Sequence, residues 1–157
     1  MLSEINSLLS PERTLFVQEL ESKKRVFDTL AELLSHKQSQ LSQDDIFDLL
    51  IEREKLGCTA IGGGVALPRA RADITQPYAA LLILKNGIAI ESPDKEPVSV
   101  FLALLLPEST SQRYSEMISS LMMRISSRPV AEELAETSEP EIAINYFENL
   151  LIQDKAA

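Results

Sequence analysis

Hydrophobic positions in this chain keep changing rhythm. Residues 14–17 form a short apolar run that reads as a strand. After it Val26, Phe27, Leu30, Leu33 and Leu34 recur at helical spacing through about His36, with Ser22 placed as the N-cap. Ser42 followed by Asp45 has the form of a capping box and opens a second helix. Its two faces are marked by Ile46, Phe47, Leu49, Leu50 and Arg53, and Gly57 is placed to end it. Arg53 then falls on the last turn, facing whatever follows.

Pro68 biases Leu67 toward extended geometry, so residues 65–67 read as a strand that delivers residue 69 to a surface. Residues 78–84 read as a buried strand, Asn86-Gly87 as a hairpin turn, and residues 88–90 as the strand that returns. Residues 98–106 are apolar on both faces, as a central strand requires. Beyond Pro107 the spacing becomes helical. Met117, Ile118, Leu121, Met122 and Ile125 make one stripe, started by Ser109, Thr110 or Ser111. Pro129 opens a short helix to about Glu136. Ser138 with Glu141 repeats the capping-box form before a stripe of Ile142, Ala143, Tyr146, Phe147, Leu150 and Leu151. Strands interleaved with helices predict an α/β sandwich, a mixed central β-sheet with helices on both faces.

Composition narrows what such a fold does. At 157 residues the chain fits one domain and can bury roughly 70% of the surface its unfolded form exposes. The longest apolar run is well short of the ~20 residues of a membrane span, and the N-terminal residues lack the basic start and apolar centre of a signal peptide. A cytoplasmic protein without membrane insertion is expected. The net charge of −9 argues against sequence-independent binding to nucleic acid. One histidine and one cysteine exclude the usual zinc sites, and no tight acidic cluster proposes magnesium. No cofactor is expected. Lys23, Lys24 and Arg25 crowd the first turn of their helix, where the macrodipole disfavours cations. They read as a solvated face or as a basic docking patch.

The chemistry concentrates between residues 53 and 69. Four of the five glycines, Gly57, Gly62, Gly63 and Gly64, lie there, a density that permits positive φ and close backbone approach. It is not a nucleotide fingerprint, because three of the glycines are adjacent and no Gly-Lys-Ser/Thr follows. Arg53-Glu54 before the loop, then Gly57-Cys58-Thr59-Ala60-Ile61-Gly62-Gly63-Gly64-Val65-Ala66-Leu67-Pro68-Arg69, resembles the nitrogen-regulatory enzyme IIA family of the bacterial phosphotransferase system. That family carries Arg-Glu and then Gly-Ser-Thr-Gly-Ile-Gly-x-Gly-Ile-Ala-Ile-Pro-His. The resemblance continues through residues 97–107 and spans about residues 12–152.

The resemblance implies the fructose/mannitol-type IIA fold, and it implies a site that has lost its chemistry. In the family the histidine after Ile-Pro accepts a phosphoryl group from a carrier protein. Here that position is Arg69, and the second active-site histidine falls near Tyr114. A neutral imidazole offers a lone pair, whereas a guanidinium is donor-only and stays protonated, so Arg69 can clamp an anion but cannot take a phosphoryl group. Arg53 matches the arginine that neutralises phosphate in the family. Arg71 and Arg113 are candidates to join it and Arg69, with Gly62, Gly63 and Gly64, in a site for an anion or a partner.

Three functions follow from this. One is a regulator that stays unphosphorylated and works through protein contacts with a regulatory partner or a phosphotransferase carrier. In the family the unphosphorylated form binds targets that include sensor kinases and potassium-transport components. Another is a working phosphocarrier that uses Cys58, which stands at the family's usual serine, or His36. A third is a small-anion sensor built on Arg53, Arg69 and the loop amides. Each candidate also has a plain structural explanation. Arg53 could be a helix-end cation, Cys58 a small buried hydrophobe, His36 a helix C-cap, and Met117, Met122 and Met123 core packing.

Overall fold

The computed structural model describes residues 8–156, apart from the side chains of residues 110, 111 and 151–156. Six strands make one mixed sheet: β1 (Thr14–Val17), β2 (Ala60–Gly62), β3 (Val65–Ala66), β4 (Arg69–Ala72), β5 (Tyr78–Ile88) and β6 (Val98–Pro107). The order across the sheet is β1-β5-β6-β3-β2, with β4 also on β6. β1 runs parallel to β5, β5 antiparallel to β6, and both β3 and β4 run parallel to β6. β3 and β4 continue one another, since Val65 faces Val100 and Arg69 faces Leu104 in the same register. Pro68, which has no N–H to donate, marks the break, and its carbonyl accepts from Leu104 N–H at 2.9 Å.

Alternation along the central strands feeds two cores. On one face Ala80, Leu82, Leu84, Phe101, Ala103 and Leu105 pack against Val26, Phe27, Leu30, Leu34, Ile46 and Leu50 from α1 (Lys23–Ser35) and α2 (Gln43–Lys55). On the other, Leu81, Ile83, Leu102, Leu104 and Leu106 meet α3 (Ser111–Ser126), α4 (Val130–Leu134) and α5 (Pro140–Ala156). This is the predicted sandwich. The expected caps form at both early helices: Ser22 Oγ accepts from Arg25 N–H, and Ser42 with Asp45 closes a capping box.

Several expectations need correction. The Asn86-Gly87 pair makes no hairpin. Asn86 N–H donates to Gln18 O at 2.9 Å, β5 runs on through Gly87 at φ +69 with a register shift, and Ile88 pairs with Val98. No separate strand forms at residues 88–90; residues 89–97 return the chain to β6. The last helix opens at Pro140, with Glu139 O accepting from Ile142 and Ala143, and not at Ser138. Its buried stripe uses Ile144 in place of Ile142, which is 51% exposed; the Leu151 side chain lies outside the described residues. Thr110 and Ser111 side chains, candidates to start α3, also lie outside them. Met122 is half-buried and Met123 exposed, so of the three methionines only Met117 belongs to the core.

Arg13 was not singled out from sequence, yet it is buried. Its guanidinium donates to the carbonyls of Ala79, His36 and Leu8 and lies 5.2 Å from the Tyr78 ring centroid. Burial pulls its pKa below the ordinary arginine value, a direction opposed by Tyr78 and Glu12. It ties the residues before β1 to the end of α1, where His36 is the C-cap.

Candidate functional site

The local chain path around Arg69 begins at the end of α2. Leu56 and Gly57 donate to Arg53 O and Glu54 O, and the Arg53 guanidinium reaches forward to Gly57 O at 2.9 Å. Glu54, one residue on, turns inward. Its carboxylate accepts from Thr59 N–H at 3.2 Å and Thr59 Oγ1 at 2.7 Å, and pairs with Lys23 at 2.9 Å. The segment between α2 and β2 is thereby fixed from both sides.

Gly62, Gly63 and Gly64 then form the β2–β3 turn at φ +93, +65 and +80, values that suit glycine. Gly63 N–H donates to the Asp94 carboxylate at 2.8 Å, and Gly64 O accepts from Ser99 and Val100. These glycines make a turn whose exposed amide is already taken by a carboxylate of the same chain. They do not line the arginine cavity, which corrects the expectation that their amides join it.

Past Pro68 the sequence Arg69-Ala70-Arg71-Ala72 is strand β4, which the sequence reading missed. Period-two alternation sends Ala70 and Ala72 into the α1/α2 core and leaves Arg69 and Arg71 on the opposite side. β4 pairs with β6 alone, so a cavity of about 480 Å³ opens at this margin of the sheet between α2 and α3. Arg53, Arg69 and Arg71 supply its charge. Leu49, Leu106, Ile118 and Met122 supply apolar wall, with Ser115 and Ser119 between them.

Each guanidinium is held by a neutral acceptor: Arg53 by Gly57 O, Arg69 by Leu67 O at 3.1 Å and Arg71 by Ser115 Oγ at 2.7 Å. Among the described residues no carboxylate forms an ion pair with any of the three. Arg69 is half-buried, and that burial pulls its pKa below the ordinary arginine value. Arg53 and Arg71 push the same way and Glu54 opposes. It remains a cation, held at some electrostatic cost.

The structure brings together Arg53, Arg69 and Arg71 and separates the other candidates. Arg113 stands over the Tyr114 ring, 5.9 Å from its centroid, and is not part of the cavity wall. Tyr114 is 5% exposed within the α3-side core and does not reach the cavity either; its neighbours Ser115, Ile118, Ser119 and Met122 do. Cys58 is half-buried against the α1/α2 core, and His36 is exposed at the end of α1. Two of the three cations that open α1 have partners within the chain: Lys23 pairs with Glu54, and Lys24 pairs with Asp28 and lies over Phe47. Among the described residues no group of three His, Cys, Asp or Glu could hold a metal ion, and no helix is long and apolar enough to cross a membrane.

Comparison with known proteins agrees with this architecture. The family described as phosphoenolpyruvate-dependent sugar phosphotransferase system, EIIA 2, matches residues 7–150. A nitrogen regulatory protein homolog of Haemophilus influenzae is 30% identical over 149 residues, covering 92% of this chain and 91% of the relative. The crystal structure of nitrogen regulatory protein IIA-Ntr from Neisseria meningitidis superposes with a TM-score of 0.82 at 32% identity, covering 94% of this chain and 98% of that one. IIA mannitol from Escherichia coli, at 17% identity and a TM-score of 0.68 over 89% and 98% of the two chains, shares the fold.

Proposed function

We propose that this chain, which belongs to the phosphoenolpyruvate-dependent sugar phosphotransferase system EIIA 2 family, is a regulatory IIA-like protein that is not phosphorylated at residue 69. It acts as a single cytoplasmic domain through contacts with a regulatory protein or a phosphotransferase carrier. Arg69 carries this reading. The resemblance of residues 57–69 to the nitrogen-regulatory enzymes' motif implies that Arg69 stands in for their phosphoryl-accepting histidine, and His36 is the chain's one histidine. A guanidinium has no lone pair to attack phosphorus and does not deprotonate at physiological pH. Arg53, the partner that would neutralise a transferred phosphate, is nonetheless retained in the same cavity wall. A site that keeps its anion-binding cation and loses its acceptor binds without transferring.

The alternative acceptors are poorly situated. Neither Cys58 nor His36 lines the cavity that holds Arg53 and Arg69; Cys58 packs against the α1/α2 core and His36 is exposed at the end of α1. The direct test is to incubate the protein with phosphoenolpyruvate and the general phosphotransferase carriers, beside a histidine-bearing relative, and read intact masses. The relative gains a phosphoryl group and this chain does not. An adduct on this chain overturns the proposal, and mapping it identifies the acceptor.

A further inference from the structure

We infer that the cavity walled by Arg53, Arg69 and Arg71 binds a small organic anion, a phosphate or carboxylate head on a short apolar body. This deepens the functional proposal and rests on reading residue 69 as a binding residue and not as an acceptor.

Three guanidiniums face one cavity in a chain of net charge −9, and among the described residues none is paired with a carboxylate. Each is held by one neutral oxygen, which leaves most of its five N–H donors for another acceptor. Glu54 is the anion that opposes this charge at Arg69, and its oxygens are committed to Thr59 and Lys23. A bound anion would answer all three cations at once, with the bidentate geometry that guanidinium offers to carboxylate and phosphate.

The apolar part of the same lining decides the rest of the ligand. Leu49, Leu106, Ile118 and Met122 are apolar, so a bare inorganic ion would satisfy the arginines and leave this apolar lining wet. A volume of about 480 Å³ lies within the range of small-molecule sites, which combine a mostly apolar lining with a few convergent polar groups. Ser115, which accepts from Arg71, and Ser119 also line the cavity and can orient a head group. The glycine turn takes no part, because Gly63 N–H is held by Asp94.

The test is an amide-resonance titration of the isotope-labelled full chain at low salt. Phenyl phosphate and hexanoate are the two head-group probes, inorganic phosphate is the head alone, and benzyl alcohol is a neutral body. The expected result is saturable shifts at Arg53, Ala70, Arg71 and Ser119 with phenyl phosphate or hexanoate. Binding should be at least ~10-fold tighter than inorganic phosphate and absent with benzyl alcohol. Arg69→Ala should weaken it by ~10-fold or more. Ser119→Trp, on an exposed helix position, should block it while the resonances stay dispersed. Equal binding of inorganic phosphate, equal binding of benzyl alcohol, no saturable shifts, or binding that survives both substitutions would each overturn the inference. The mass experiment reads phosphorylation independently. A silent titration with no adduct leaves the regulator standing without its ligand, whereas an adduct removes the regulator whatever the titration shows.

Discussion

The Glu54 carboxylate lies 2.9 Å from the Lys23 ammonium, joining the start of α1 to the end of α2 within electrostatic reach of Arg69. The Glu54 side chain is 7% exposed, and the same carboxylate accepts from both donors of Thr59, itself buried. Truncation to Ala would orphan a buried N–H and hydroxyl together with an ammonium that is only partly solvated. Glu54→Ala should therefore cost about 2–4 kcal/mol. Lys23→Ala should cost about 1 kcal/mol or less, because Glu54 keeps its Thr59 donors. Denaturant midpoints of the two variants at constant slope measure the asymmetry. Equal losses would mean that the ion pair and not the Thr59 anchor carries the energy.

Asp94 offers a pH-dependent counterpart at the glycine turn. Hydrogen bonds from Gly63 N–H, then Glu96 N–H, hold its pKa below the ordinary value of 3.8, with Ser92 contributing and burial opposing. A carboxyl whose folded pKa is depressed favours the folded state above its unfolded pKa. It gives up that contribution as pH falls through the lower folded value. The Gly63 amide resonance should thus move in acid with a midpoint below 3.8, and Asp94→Asn should abolish the transition. A midpoint at or above 3.8 would mean that the turn amide is not held by Asp94 in solution.

How far the sequence reached depends on where tertiary contacts overrode local signals. The helices with Ser22 and Ser42 caps and the apolar run of β6 were legible because cap chemistry and hydrophobic spacing agree there. β4 was not, since Arg-Ala-Arg-Ala looks polar. Its period-two signal rests on alanines whose burial only the α1/α2 packing reveals. Recognising that alternation would have put Arg69 and Arg71 on one face. Asn86-Gly87 has hairpin chemistry, but Asn86 finds Gln18 across the sheet and that bond carries the strand onward. Tyr114 was aligned to a functional position by motif counting alone. Helical phase sets Ser115, Ile118, Ser119 and Met122 toward the cavity and Tyr114, Met117 and Leu121 into the core.

The glycines separate by geometry into strained and tolerant positions. A Cβ on Gly64 would meet Ala131 Cβ at 3.0 Å in a residue at φ +80, combining backbone strain with a helix contact that cannot easily yield. Gly64→Ala should cost about 2–3 kcal/mol. Gly63→Ala, at φ +65 with nothing within 4 Å, should cost only the backbone term of about 1–2 kcal/mol, and Gly57→Ala, in open space without a positive φ, should be within about 0.5 kcal/mol of neutral. Thermal or denaturant unfolding that ranks the three otherwise would contradict the turn geometry.

Arg69→His tests whether the cavity kept everything but its acceptor. The side chain at residue 69 leaves the start of β4 into the cavity that Arg53 also lines, so an imidazole there would have a lone pair, a solvent-open approach and a guanidinium within electrostatic reach to neutralise phosphate. Intact mass after exposure to phosphorylated carrier should show an adduct on Arg69→His and none on the native chain. Adding Tyr114→His should not help. Tyr114 packs in the α3-side core, and exchanging its ring for a smaller, more polar one should cost about 1–3 kcal/mol while bringing no second imidazole to the cavity. The double variant is therefore expected to melt lower and to accept phosphate no faster than the single one. A much faster double variant would mean that residue 114 does open onto the cavity when the carrier is bound, and that the site depends on a movement of α3.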